Sequence, residues 1–231
     1  YPLFTHQKNA SKNVLQYFYP RIGSTTKSSN KVLLHMPTGS GKTRTAMNVI
    51  CDHFRSQESS IVVWLASSEE LLDQAADEFE KAWSILGDRK IDLYRFWDDS
   101  SEDLGSIKEG FVVAGLSKLD SVFKKNPSRI SKFNFATKLI IFDEAHQAVA
   151  PTYSELVDNL LLSSGEPTKL LGLSATPGRT WNDKDEDEKL AQLFDKTKVV
   201  LRIKGYDNPV KFLIEKGYLA EPEYSPLIYD K

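Results

Sequence analysis

Val32-Leu33-Leu34-His35-Met36-Pro37-Thr38-Gly39-Ser40-Gly41-Lys42-Thr43 is the stretch that decides how the rest of the chain is read. An apolar run of strand length, Val32–Met36, passes into a glycine-rich loop and then into a segment with a helical apolar pattern. Glycines let successive backbone N–H groups converge on phosphate oxygens, and the first turn of the following helix adds partial positive charge. Lys42 is placed to reach the β- and γ-phosphates of a nucleotide, and the Thr43 hydroxyl to help hold Mg²⁺. Met36 stands where the strict form of this motif opens with glycine, so the Gly-x-Gly-Lys-Thr core and its strand–loop–helix setting carry the reading. Pro37, Thr38, Gly39, Ser40, Gly41, Lys42 and Thr43 are therefore expected to cradle a nucleoside triphosphate. Kinases, GTPases and motors all use such a loop.

Outward from the loop, further short apolar runs read as buried parallel strands: Ile61–Ala66, Ile91–Phe96, Phe111–Gly115, Leu139–Phe142 and Leu170–Leu173. Helical patterns lie between several of them. Ala10, Val14, Leu15 and Phe18 mark an amphipathic helix over Thr5–Tyr19. Leu71, Leu72, Ala75, Ala76, Phe79 and Ala82 line one face of another, with Ser67 and Glu70 spaced as a capping box at its start. Strands alternating with helices predict an α/β domain, a parallel β-sheet with helices on both faces. Gly23–Asn30 reads as a Ser/Thr-rich loop, and the charged run Asp183–Glu188 as a solvated loop or helix start.

The strand Leu139–Phe142 delivers Asp143-Glu144-Ala145-His146 at its C-terminal end. Two successive acids there suit phosphoryl transfer to water: Asp143 secures Mg²⁺, and Glu144 polarises the attacking water. A GTPase or a small-molecule kinase has no need of the second acid, and no arginine-rich lid segment follows the phosphate loop. After the next strand comes Leu173-Ser174-Ala175-Thr176-Pro177, a weak turn signal alone but a strong one as the third element in this order.

Taken together, Gly-Ser-Gly-Lys-Thr, Asp-Glu-Ala-His and Ser-Ala-Thr resemble the first RecA-like domain of a superfamily-2 helicase of the DEAH type. The resemblance runs from about Leu3 to the tail. Around Phe142–Gln147 and Gly172–Arg179 it is nearer to the motor subunits of restriction enzymes and DNA-repair translocases than to RNA-unwinding DEAD-box proteins. The resemblance implies an ATP- and Mg²⁺-dependent motor in which Lys42, Asp143, Glu144 and His146 are catalytic. It also implies that Gln7 reads the adenine, with Phe4 where relatives often carry arginine, and that Ser174, Ala175 and Thr176 couple nucleotide state to nucleic-acid grip. By the same likeness Ser67 and Ser68, then Gly115, Ser117 and Lys118, touch the tracking strand; for Ser67, helix capping is an equal reading. DNA is the favoured track over RNA. A second RecA-like domain supplying an arginine finger is the implied partner, and a nuclease or other subunit is a further one.

The whole chain has 231 residues, 40% hydrophobic and 27% charged, enough for one substantial domain or two small ones. Residues 1–204 are expected to form the RecA-like domain, with 205–231 an exit segment that becomes extended and proline-punctuated from Gly217. A net charge of −2 argues against a grip resting on a broad basic surface. Cys51 is the only cysteine, so no internal disulfide forms; it falls on the apolar side of a helix, and an intracellular setting fits. No apolar run is long enough to span a bilayer. For Trp97 and Trp181, in polar surroundings, stacking on bases is one reading and packing under loops the expected one. The rival class is a P-loop signalling or scaffold module that binds nucleotide without pulling on nucleic acid.

Overall fold

The computed structural model describes residues 1–25, 27–97, 103–161, 167–176 and 184–221, with backbone only at 127–130 and 184. Trp181, Pro177, Asp183 and residues 222–231 of the expected exit segment lie outside these. The elements alternate as expected. They are α1 (Thr5–Phe18), β1 (Lys31–His35), α2 (Lys42–Ser56), β2 (Ile61–Ala66), α3 (Glu69–Leu86), β3 (Leu93–Phe96) and β4 (Gly110–Gly115). Then follow α4 (Leu116–Lys125), α5 (Pro127–Ala136), β5 (Thr137–Phe142), α6 (Pro151–Leu161), β6 (Lys169–Ser174), α7 (Lys184–Leu193), β7 (Lys198–Val200) and α8 (Pro209–Glu215).

All seven strands form one parallel sheet in the order β3-β4-β2-β5-β6-β1-β7. Both faces are covered, which is why the strands read as continuous apolar runs rather than alternating ones. Alternate residues of β2 go to opposite faces: Val62, Trp64 and Ala66 enter the core under α1, α2 and α3, while Ile61, Val63 and Leu65 enter the core under α4 to α7. Phe79 of α3 illustrates the first core, with Phe54, Trp83 and Phe111 around its ring at centroid distances of 4.3–6.0 Å. Burial of one such side chain contributes about 1.5–3 kcal/mol.

Two local expectations are corrected, and one strand was not foreseen. The α3 N-cap is Ser68, and its side chain makes no capping bond, so the Ser67–Glu70 capping box does not form. The Ser67 hydroxyl instead accepts a hydrogen bond from Gln147 Nε2 at 3.1 Å. Strand β3 starts two residues later than the apolar run, at Leu93. Strand β7 carried no sequence signal, because three residues of which only the middle one is buried are too few to show a period.

The charged run after Asp183 becomes the first turn of α7, where Asp185, Glu186 and Asp187 face the positive end of the helix dipole. Beyond β7 the chain stays structured. Helix α8 ends in a Schellman turn: Gly217 has φ +70°, its N–H donates to Ile214 O at 2.9 Å, and Tyr218 N–H donates to Leu213 O at 2.7 Å. That turn folds Tyr218 and Leu219 back onto the domain. Cys51 is buried and its thiol is pushed up to about 12 by burial, so it is an inert core residue.

Candidate nucleotide site at the sheet rim

Strand order brings the three separated motifs together. Strands β5, β6 and β1 are neighbours, with Phe142 beside Gly172 and Ser174 beside His35 at their C-terminal ends. Asp143 therefore leaves the sheet beside Leu173, with Ala175 and Met36 two residues further along on the neighbouring strands, two strand spacings spanning only about 10 Å. Cross-links hold them in register: Met36 N–H donates to Ser174 O at 3.1 Å, and His35 Nε2 donates to Ala175 O at 3.2 Å. Such a crevice beyond the carboxyl ends of parallel strands is where α/β proteins bind ligands.

The phosphate loop has the backbone its glycines forecast. Gly39 and Gly41 sit at φ +74° and +86°, the left-handed region that side chains resist. Gly41 is also the N-cap of α2, so Lys42 and Thr43 open that helix. The loop is braced by Ser40, whose Oγ donates to Pro37 O at 2.5 Å, and by Thr45 Oγ1 donating to Gly41 O at 2.9 Å. Met36, at the motif's missing glycine, is fully buried in the core beneath α2, so the departure is absorbed by packing rather than by the loop.

Gln7 is hydrogen-bonded to the loop. Its Nε2 donates to Ser40 O at 3.0 Å and its Oε1 accepts from Phe4 N–H at 3.0 Å. A Cβ at Gly41 would overlap the Gln7 amide, and one at Gly39 would overlap the Leu219 side chain. Phe4 is exposed and lies against Tyr218, ring centroids 4.5 Å apart. The outer flank of the loop holds a cavity of about 590 Å³ between His35, Pro37 and Ala175 on one side and Arg202, Tyr206 and Asn208 on the other. Tyr218, Leu219 and this β7–α8 wall were missed by sequence reasoning; the glycine after α8 was the one signal that the chain turns back there.

Across the crevice, Asp143 is buried, and burial with repulsion from Glu144 pushes its carboxyl up to about 6, while the Glu144 N–H and Lys42 pull it down. Lys42 and Asp143 thus lie within electrostatic reach of each other. Asp143 Oδ1 accepts from Glu144 N–H at 3.0 Å. Glu144 has φ +51° and ψ +61°, a strained position for a residue with a side chain, and its Oε2 stands 3.5 Å from His146 Nδ1. Below this turn Gly172 is indispensable, because a Cβ there would meet Phe194 and come within 2.8 Å of Ala145 Cβ. A buried carboxylate at the rim that carries Lys42 and Thr43 has the chemistry of a ligand for a hard cation that takes its other ligands from phosphate and water.

Ser174 is buried and its Oγ accepts from Thr176 N–H at 3.2 Å, which fixes the Ser-Ala-Thr turn between the other two motifs. The remaining candidates lie further along the same rim. Ala66 pairs with Gly115, so Ser67 and Ser68 after β2 are neighbours of Gly115, Ser117 and Lys118 after β4. Ser67, Ser68 and Ser117 are exposed, and the Ser117 hydroxyl is 3.2 Å from Tyr153 Oη. Lys118 Nζ sits over the Phe96 ring at 4.9 Å and donates to Trp97 O at 3.5 Å. Trp97 is half-buried against the core.

A seven-stranded parallel sheet carrying these three motifs at one rim defines a RecA-like ATP-binding domain of a superfamily-2 helicase. Residues 1–179 match the family described as Type III restriction enzyme, res subunit, and the chain belongs to that family. Among curated relatives, the Drosophila melanogaster DEAD-box ATP-dependent DNA helicase Fancm is 26% identical, covering 65% of this chain and 10% of its own length. The Mus musculus ATP-dependent RNA helicase DHX58 is 29% identical, covering 64% and 22%. The chain thus spans under a quarter of either. The Pyrococcus furiosus Hef helicase domain superposes with a TM-score of 0.65 at 20% identity, covering 90% of this chain and 40% of that one.

Proposed function

We propose that this domain is the nucleotide-gripping half of an ATP-dependent motor that moves along or opens nucleic acid, with DNA as the track. The observation that carries the reading is the adjacency of β1, β6 and β5, which sets phosphate loop, Ser-Ala-Thr turn and Asp-Glu pair side by side. DNA is favoured because the matching family is that of a restriction-enzyme subunit.

In this mechanism the loop amides of residues 37–43 and the Lys42 ammonium hold the triphosphate, and Gln7 lies on the adenine side. A magnesium ion, when bound, neutralises charge on the β- and γ-phosphates. Thr43 and Asp143 are the residues that would hold it. Glu144 takes a proton from the attacking water, with His146 alongside its carboxylate at 3.5 Å. The Ser174–Thr176 turn, bonded on one side to the phosphate-loop strand, is positioned to pass nucleotide state to the strand-facing half of the rim. Ser67, Ser68, Gly115, Ser117 and Lys118 form that half, offering backbone amides and hydroxyls to phosphates rather than a broad basic patch. A second RecA-like domain would carry the arginine finger, an addition worth roughly a thousandfold or more in rate.

Phosphate release by the full-length protein, measured with ATP alone and with added duplex DNA, single-stranded DNA or RNA, tests the reading. DNA-stimulated release that disappears in Lys42→Ala is expected. Nucleotide binding with no stimulation by any nucleic acid would instead favour a signalling or scaffold module, and a phosphorylated small acceptor would favour a kinase.

A further inference from the structure

We propose that Gln147 is a positioning residue that ties strand contact at the end of β2 to the catalytic turn at the end of β5. The inference rests on the motor reading above and adds to it the residue through which the two halves of the rim communicate.

Gln147 bonds in both directions. Its backbone N–H donates to Glu144 O at 2.9 Å, closing the 3-10 turn Ala145–Val149 that holds Glu144 in its strained left-handed conformation. Its side-chain Nε2 donates to Ser67 Oγ at 3.1 Å, across 80 residues of sequence. Strands β2 and β5 are already neighbours, and Asp143 N–H donates to Leu65 O at 2.9 Å. The Gln147–Ser67 bond extends that ladder one step beyond the sheet, from main chain to side chains.

The chemistry of the bond gives it a direction. A serine hydroxyl has one donor and two acceptor sites. Because Ser67 accepts from Gln147, its own proton remains available to an outside acceptor, and the exposed Ser67 precedes the N-terminus of α3, where a strand phosphate is favoured. Donation to a phosphate oxygen polarises the hydroxyl and makes it a better acceptor for the Gln147 amide, since linked hydrogen bonds reinforce one another. The 3-10 turn is thereby held more firmly, and with it the carboxylate that acts on water. Strand binding is converted into orientation of Glu144.

The test is strand-stimulated phosphate release by the full-length protein, with a single-stranded DNA oligonucleotide as the probe. Gln147→Ala should lower the rate at saturating oligonucleotide about fivefold, the size expected for one net hydrogen bond. The oligonucleotide concentration giving half-maximal stimulation should rise by no more than that factor, since linked hydrogen bonds reinforce each other in both directions, and the affinity for a fluorescent ATP analogue should stay the same. In a Ser67→Ala background, Gln147→Ala should cost nothing further in stimulation, and Ser67→Thr, which keeps the hydroxyl, should retain the wild-type dependence on Gln147. Full stimulation in Gln147→Ala, effects of the two alanine variants that multiply, or a change confined to half-maximal concentration would each overturn the proposal. A wild-type protein that no nucleic acid stimulates would overturn the motor reading and this inference together. Intact stimulation in Gln147→Ala would overturn this inference alone.

Discussion

Gln7 Nε2 and the carbonyl oxygen of Ser40 are hydrogen-bonded at 3.0 Å, fastening the first helix to the phosphate loop. The amide is used at both ends, because Oε1 accepts from Phe4 N–H, and the residue is buried. Gln7→Ala frees the Phe4 N–H at the exposed helix start and leaves the Ser40 carbonyl without its buried partner, a loss costing about 1–3 kcal/mol. Nucleotide affinity, measured by calorimetric titration of ATP, should fall about tenfold. Gln7→Glu should do at least as much harm, since a carboxylate can accept from Phe4 but cannot donate to Ser40.

Gly41→Ala places a methyl group into the Gln7 amide at a backbone angle of φ +86°. The strained conformation alone costs about 1–3 kcal/mol. ATP binding should be lost while the far-ultraviolet circular dichroism of the domain stays native. Native affinity in this variant would show that the loop geometry is not what binds phosphate.

Glu144→Gln keeps the size and the backbone of the residue but removes its capacity to take a proton. Hydrolysis by the full-length protein should fall by about a hundredfold or more, within the range of general-base catalysis. Binding of a fluorescent ATP analogue should be unchanged. Wild-type turnover would exclude the role proposed for this carboxylate.

His53 is buried between α2 and its surroundings, sharing hydrogen bonds with Tyr19 Oη at 2.6 Å and Ser60 Oγ at 3.2 Å. Burial, with the nearby Lys169 and Arg89 charges, lowers its pKa to about 3 from 6.5. The unfolded chain therefore binds a proton below pH 6.5 that the folded chain refuses until about pH 3, so stability is lost as pH falls through that window. The slope approaches roughly 1.4 kcal/mol per pH unit for one group. Asp143, raised to about 6, works in the opposite sense, so the readout is the difference between wild type and His53→Gln in urea unfolding at pH 7, 6 and 5. The variant should be less stable at pH 7 and lose less on acidification; parallel pH profiles would refute the assignment.

Much of the site was legible because its signals are local. The Gly-x-Gly-Lys-Thr loop, the two acids after β5 and the Ser-Ala-Thr turn are each a few consecutive residues at a strand end, and periodicity located the strands within about two residues. Ser67 shows where local reading fails. Its spacing to Glu70 satisfies a capping box, yet Gln147, 80 residues away, engages the hydroxyl instead. Strand β7 and the turn at Gly217 escaped for a related reason: a three-residue edge strand has no period, and a Schellman turn says that the chain reverses but not what it reverses onto.

The sequence by itself therefore determined the fold class, the phosphate loop, the paired carboxylates and the inert cysteine, since each follows from residue type and spacing along a short segment. Only the tertiary structure decided that β6 lies between β1 and β5, that Gln7 grips Ser40, that Leu219 closes over Gly39 and that Gln147 reaches Ser67. Those relationships depend on strand order and on contacts between segments far apart in the chain. Such contacts are selected by burial of the two cores as a whole, which no single stretch of residues encodes.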